Sequence, residues 1–333
     1  YLDCFRELHI LGSNSLVLLS HIKKGVSKKM TGALSKKKHA SSRKSSRDNR
    51  YFYLFILPWL IGFFGLTIGP MLYSLFGSFC KWDGISAPQY IGIKNFLKLF
   101  TFDELFRKTM LNTLYYVVMA VPSSLLLSLL LAFLINGKHK FTGVFQAIFY
   151  FPSVSAGIAV YMVWIWFFNS EVGVFNYLLS LLGIQGPRWL SDPNVSMFTL
   201  VIMNLTFCGG QMLIFLAGLK QIPLAYYEAA TIDGANGFQK FFKITLPMLS
   251  PTILFNGIMG MIGAFQIFGQ ALILTEGGPV QSTYVMGLFI YKSAFNYGKF
   301  GYASAASWVM FVVLMLLSFI VMRLSEKHVN YEM

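Results

Sequence analysis

Six apolar stretches, near residues 53–79, 110–135, 144–168, 197–219, 251–275 and 303–322, set the terms for everything else in this chain. Each is close to the roughly 20 residues that an α-helix needs to cross the hydrocarbon core of a bilayer. Lipid offers no water to backbone N–H and C=O groups, so a spanning segment must satisfy them internally, and at this length it does so as a helix. The reading is an all-α, polytopic membrane helix bundle of about six transmembrane helices. Composition agrees: 56% of the 333 residues are hydrophobic and only 12% charged, against roughly 25% charged in soluble proteins.

The net charge of +14 is unevenly placed. Residues 1–50 hold 12 Lys/Arg against three acids, and the rest of the chain is nearly balanced. A Lys/Arg/Ser-rich run directly before a first span is the pattern of a disordered cytoplasmic tail drawn to anionic membrane lipid, not of a nucleic-acid binder. With the N-terminus inside, the inner segments carry 19 Lys/Arg and the outer ones eight. Without the tail the comparison is seven against eight, so the tail sets the orientation. Both termini, residues 1–50 and 326–333, are then cytoplasmic tails around a membrane domain at 51–325. Apolar pieces around Leu8–Leu19 are followed, not preceded, by basic residues, the reverse of a signal peptide.

Catalytic chemistry is poorly supplied. The five histidines lie outside the spans, the three cysteines are far apart, and no zinc motif, phosphate-binding loop or nucleophile set is present. We expect no catalytic residue, no metal site and no cofactor in this chain. If ATP and Mg drive it, another chain binds them.

Within the spans, Pro58, Gly62, Gly65 and Pro70 predict a kinked first helix. Residues 91–100 alternate apolar side chains with Lys94 and Lys98, which predicts a short helix lying at the interface. Trp164 and Trp166 read as interfacial belt residues. Polar residues inside spans are costly and generally face the bundle interior. Asn204, Cys208 and Gln211 fall at i, i+4, i+7 on one helical face, and Asn256, Gln266 and Gln270 share an arc of about 80°. These amides are candidate substrate-pathway residues, the alternative being helix-to-helix bonds. Gly257, Gly260 and Gly263 recur every third residue, as close helix packing requires.

A loop at 220–250 joins the fourth and fifth stretches. Residues 222–232 are helix-compatible, Asp233-Gly234 supplies a break, and a second short helix follows with Phe238, Phe241 and Phe242 on one side. Such a helix pair is too short to stand alone in water and must pack on the spans or on a partner.

The order Glu228-Ala229-Ala230, three residues, Gly234, nine residues, then Ile244-x-Leu246-Pro247 resembles the EAA loop of permease subunits of binding-protein-dependent ABC importers. The likeness extends over roughly 50–325. Gly277-Gly278-Pro279 with Thr283 and Tyr284, residues 291–302, and Pro152 before Gly173-x-x-Asn176 look like the carbohydrate branch, the maltose and glycerol-phosphate type. The resemblance implies that the two loop helices dock on a cytoplasmic ATPase subunit. In that arrangement Glu228 meets a basic residue of the partner, Ala229 and Ala230 allow close approach, Gly234 makes the turn and Pro247 fixes the exit. It further implies a second homologous permease, two ATPase subunits, an extracytoplasmic solute-binding protein and a carbohydrate cargo, at the bacterial cytoplasmic membrane. A glycerol-phosphate-type cargo is the nearest alternative, though no basic residue is apparent inside a span to meet it. An ion-coupled secondary transporter would show internal repeats and intramembrane carboxylates, and neither is found.

Overall fold

The computed structural model of the chain describes residues 51–137 and 141–325. Residues 1–50, 138–140 and 326–333 lie outside the described residues, as do the expectations placed on them. The chain divides into two compact units, one ending at Leu72 and one starting at Tyr73. In the first, helix α1 (Tyr51–Ser78) begins, with no buried residue up to Leu72. The expected kink takes the form of a π-turn at Phe63–Ile68, just ahead of Pro70, whose missing N–H frees a carbonyl in that turn.

The second unit is organised around α3 (Glu104–Ile135), 32 residues and about 48 Å long. It starts six residues before the expected 110, because Asp103 caps it by accepting the Phe106 N–H at 2.9 Å. Hydropathy misses this polar first turn, although the Asp103-Glu104 pair announces it. Along α3, Thr109, Thr113, Ala120, Ser124, Ser128 and Ala132 are buried at helical spacing. Their hydroxyls bond their own helix, Thr109 to the Leu105 carbonyl and Thr113 to that of Thr109, Ser124 to Val121 and Ser128 to Leu125. The stripe is therefore both small and internally satisfied, which lets neighbouring backbones come close. The neighbours are α8 (Gly209–Gln221) and α11 (Ser250–Phe265).

Three of the expected spans are broken. The third is α4 (Thr142–Val154) followed by α5 (Gly157–Phe167), bent by 101° at extended Ser155 and Ala156. Pro152 weakens the last turn of α4, and Gly209 at the start of α8 presses on its backbone, where a Cβ would lie 2.2 Å from the Phe149 carbonyl oxygen. The fourth is α7 (Ser196–Phe207) and α8, bent by 50° at Cys208. The fifth is not a single helix over 251–275. After α9 (Leu224–Ile232), α10 (Gly237–Met248) bends by 64° into α11, which stops at Phe265. The chain leaves helix there because Ile267 is buried and Phe268 meets the Tyr291 ring at 4.9 Å. It resumes as α12 (Gly269–Leu274).

Residues 276–302 run from α12 into the last span. They hold α13 (Met286–Tyr291), whose Met286 and Leu288 are fully buried with Val285, and they lead into the last span, α14 (Phe300–Ser325). Between α1 and α3 lie an antiparallel pair, β1 (Cys80–Lys81) and β2 (Gln89–Tyr90), and the expected short helix α2 (Lys94–Thr101). A last short helix, α6 (Val174–Leu181), follows α5. Gly173-x-x-Asn176 there is a structural staple. Asn176 donates to the Ser170 and Pro187 carbonyls and accepts from the Trp189 indole at 2.7 Å. Trp166 is exposed as a belt residue would be, whereas Trp164 stacks on Phe168 and Phe175.

We expect Ser128→Leu to destabilise the protein by about 1–3 kcal/mol by forcing apart helices packed on the stripe. Thermal unfolding of the purified protein checks this, with Leu126→Ala on the exposed face of α3 changing stability by no more than about 0.5 kcal/mol.

Candidate functional site

The broken helices surround a cavity of about 300 Å³ beside the middle of α3, at Ala120, Val121 and Ser124. Cys208, at the α7–α8 bend, opens its wall, and Asn204 and Gln211 project from either side of that bend. Tyr161 of α5, Gln270 of α12 and Gly260 and Gly263 of α11 complete the lining. No charged side chain is among the lining residues.

The polar groups form a partly satisfied network. Tyr116 donates its hydroxyl to Gln270 Oε1 at 3.2 Å, and Gln270 Nε2 donates to Asn204 Oδ1 at 3.5 Å. Gln211 Oε1 is buried with no hydrogen-bond partner. An orphaned buried acceptor costs about 1–3 kcal/mol, and Asn256 Oδ1 and Ser318 Oγ are left in the same state.

Of the five amides singled out in the sequence, Asn204, Gln211 and Gln270 meet at this cavity. Asn256 does not: it is fully buried and reaches the Gln211 carbonyl at 3.5 Å, a bond between α11 and α8. Gln266 is exposed at the end of α11, and because that helix stops at Phe265 it shares no face with Gln270. Gly260 and Gly263 prove to be cavity wall, while Gly257 packs against Leu125. Tyr116 and Ser124, absent from the sequence candidates, continue the i, i+4 stripe of α3 and are legible there. Tyr161 depends for its position on the 101° break and leaves no signal in the sequence.

The loop sits at the opposite end of α3 from Asp103. Phe241 meets Phe133 of α3 edge to face at 5.5 Å, and Tyr227 shares a 2.8 Å hydroxyl bond with buried Thr245. Helix α9 carries Glu228, Ala229 and Ala230, then Asp233 leads into Gly234 at φ +75°, a conformation that favours glycine. Asn236 and Gln239 cap the start of α10 reciprocally. Ile244, Leu246 and Pro247 run on within α10, which contains a π-turn at Phe241–Thr245. The three phenylalanines divide: Phe241 packs inward, while Phe238 and Phe242 are 74% and 48% exposed and touch each other at 4.5 Å. Glu228 is exposed as well.

At the Asp103 end, the Gly277-Gly278-Pro279 segment is held by side chains from α3. Lys108 donates to the Val280 carbonyl, and Asn112 to those of Gln281 and Tyr284. Thr283 closes the turn through the Gly278 carbonyl at 2.6 Å. Asp103 also accepts from the Tyr302 hydroxyl, which ties α14 to the start of α3.

A Cβ at position 260 would lie 2.8 Å from Gln211 Nε2, whereas one at 257 meets nothing nearer than Leu125 at 3.8 Å. Gly260→Ala must therefore displace the Gln211 amide. We expect it to narrow the cavity and shift the Gln211 amide while Gly257→Ala does neither, as crystal structures of the two variants measure.

The chain is 43% identical over 305 residues to the probable ABC transporter permease protein YesP of Bacillus subtilis (strain 168), covering 90% of this chain and 97% of that protein. It is 31% identical over 289 residues to the trehalose/maltose transport system permease protein MalF of Thermococcus litoralis, covering 86% and 97%. Its fold matches a chain in the crystal structure of a bacterial alginate ABC transporter in complex with an alginate pentasaccharide-bound periplasmic protein. That match has a TM-score of 0.75 at 24% identity and covers 85% of this chain and 96% of the other. A broken-helix bundle around a polar cavity, these relatives, and a match of residues 104–331 to the binding-protein-dependent transport system inner membrane component family agree, and the chain belongs to that family of permeases.

Proposed function

We propose that this permease subunit carries a neutral carbohydrate across the bacterial cytoplasmic membrane through the mid-span cavity, driven by ATP hydrolysis in partner chains. The observation that carries the reading is the lining: amides and hydroxyls from Asn204, Gln211, Gln270, Ser124 and Tyr161, with an unpaired acceptor and no charged group. Sugar hydroxyls need several such donors and acceptors next to aromatic or apolar surface, and Phe207 and Tyr161 supply the rings. A phosphate ester would be desolvated there without a counter-charge, which disfavours a glycerol-phosphate cargo. The trehalose/maltose name of one relative supports the same substrate class.

In this reading the 220–250 loop is cytoplasmic and receives the ATPase subunits, which hold ATP and Mg. Glu228 meets a basic residue of that partner, and exposed Phe238 and Phe242 complete the docking face. Ala229 and Ala230 allow close approach, and Gly234, Ile244, Leu246 and Pro247 keep the two loop helices in register. A second permease closes the pathway, and a solute-binding protein delivers cargo at the Asp103 end. ATP binding would then shift the access equilibrium only through contacts that differ between the two states.

The test is uptake of a panel of labelled oligosaccharides in cells lacking this chain, complemented by wild type or variants, with membrane abundance measured in parallel. We expect Glu228→Ala to leave uptake at the deletion level, and Gly234→Ala, which strains a positive-φ residue by about 1 kcal/mol, to reduce it. Asn204→Ala and Gln211→Ala should change which sugars are taken up, with the chain still assembled. Full uptake by Glu228→Ala overturns the coupling role, and sugar-independent behaviour of both amide variants overturns the cavity.

A further inference from the structure

Three spans end around a second, basic groove. Helix α1 ends at Ser78 just before β1, α3 begins at Glu104 just after α2, and α14 begins at Phe300. Between β1, α2 and the start of α14 lies a groove of about 520 Å³ lined by Lys81, Lys94, Lys98 and Lys299, with Trp82 and Tyr302. Its position at three span ends is headgroup depth, where Trp and Tyr also concentrate.

All four lysines are exposed, and none forms an ion pair with a carboxylate among the described residues. Lys98 instead stands 5.5 Å over the Tyr302 ring. The one acid of the groove, Asp83, turns its carboxylate to its own loop, accepting from the Ile85 and Ser86 N–H groups and the Ser86 hydroxyl. Those bonds hold it down at about 2. The groove therefore keeps a net positive charge with donors free.

Helix α2 adds the second half of the argument. Lys94 and Lys98 are one turn apart, and Ile93 and Leu97, 59% and 52% exposed, flank them. Phe100 and Phe102 are exposed nearby. Behind α2, Phe96 and Phe100 line an apolar groove of about 700 Å³ with Trp308, Val309 and Val312 of α14. Those residues lie roughly 9–15 Å along α14 from Tyr302. Cations at the span ends with apolar surface beginning within a turn fit a molecule that joins an anion to hydrocarbon. An acidic protein face would satisfy the lysines but leave Ile93, Leu97 and Phe102 in water.

We propose that the basic groove binds the phosphate of an anionic phospholipid whose acyl chains lie along the apolar side of α2. The full chain, purified with its co-assembling subunits, is exchanged into nanodiscs of equal phosphatidylcholine and phosphatidylglycerol, and retained lipid is counted by native mass spectrometry. We expect phosphatidylglycerol to be enriched roughly tenfold or more, since each Lys near such a surface contributes on the order of a fewfold preference. The double variant Lys94→Gln/Lys98→Gln should lose that enrichment with an unchanged unfolding temperature, and Lys94→Arg/Lys98→Arg should keep it. Equal retention of both lipids, or enrichment surviving the Gln variant, overturns the site. Abolition of the enrichment by millimolar inorganic phosphate shows a free-anion site and overturns the lipid. A Gln variant that keeps its lipid but captures the solute-binding protein more weakly assigns the groove to a protein partner.

Discussion

Close packing of α8 and α11 on the small-residue stripe of α3 is the contact on which the rest of the structure depends. Lipid tails are as apolar as leucine, so burial of hydrocarbon does not drive helices together in a bilayer; shape does. Thr109, Thr113, Ala120, Ser124, Ser128 and Ala132 give α3 a low ridge, and the hydroxyls on it are already bonded within the helix. One end of α3 carries the cluster of Ala132, Ile135, Met212, Phe215 and Leu249 on which Tyr227 and Met248 of the loop rest. The other end holds the Gly278–Tyr284 segment and α14.

How far the sequence could be read follows from what each signal measures. Hydropathy located the long apolar stretches and the helical membrane fold, because length and polarity alone decide whether a helix can cross lipid, but it passed over short α6 and α13. It could not see the breaks. Pro152 was visible, but the 101° turn also needs Gly209 pressed on Phe149, a contact made 57 residues later in the chain. The end of α11 carries no breaker until Gly269; burial of Ile267 and the Phe268–Tyr291 contact override helix propensity. Since the 100°-per-residue arc assumed one continuous helix, it grouped Asn256 and Gln266 with Gln270 wrongly. The Asn204, Cys208, Gln211 stripe survived its own bend because that bend falls at Cys208, within the stripe.

The loop combines a fixed half with a bare half. Phe241, Thr245 and Tyr227 attach it to the helix ends, and the Asn236–Gln239 capping box stiffens the start of α10 without any partner. Phe238, Phe242, Ile232 and Leu224 remain exposed on the same short segment. A surface so apolar at the end of a bundle carries the marks of a covered interface, and its rigidity means that little ordering entropy opposes docking.

The uncharged cavity bears on how such a carrier responds to the electric field of its membrane. Each elementary charge moved across 100 mV costs or gains about 2.3 kcal/mol. No charged side chain lines the cavity of this chain, so with the neutral cargo proposed above the voltage would have no charge at this depth of the subunit on which to act. On that proposal, this subunit's share of the pathway would add no voltage-dependent step to the passage of its cargo.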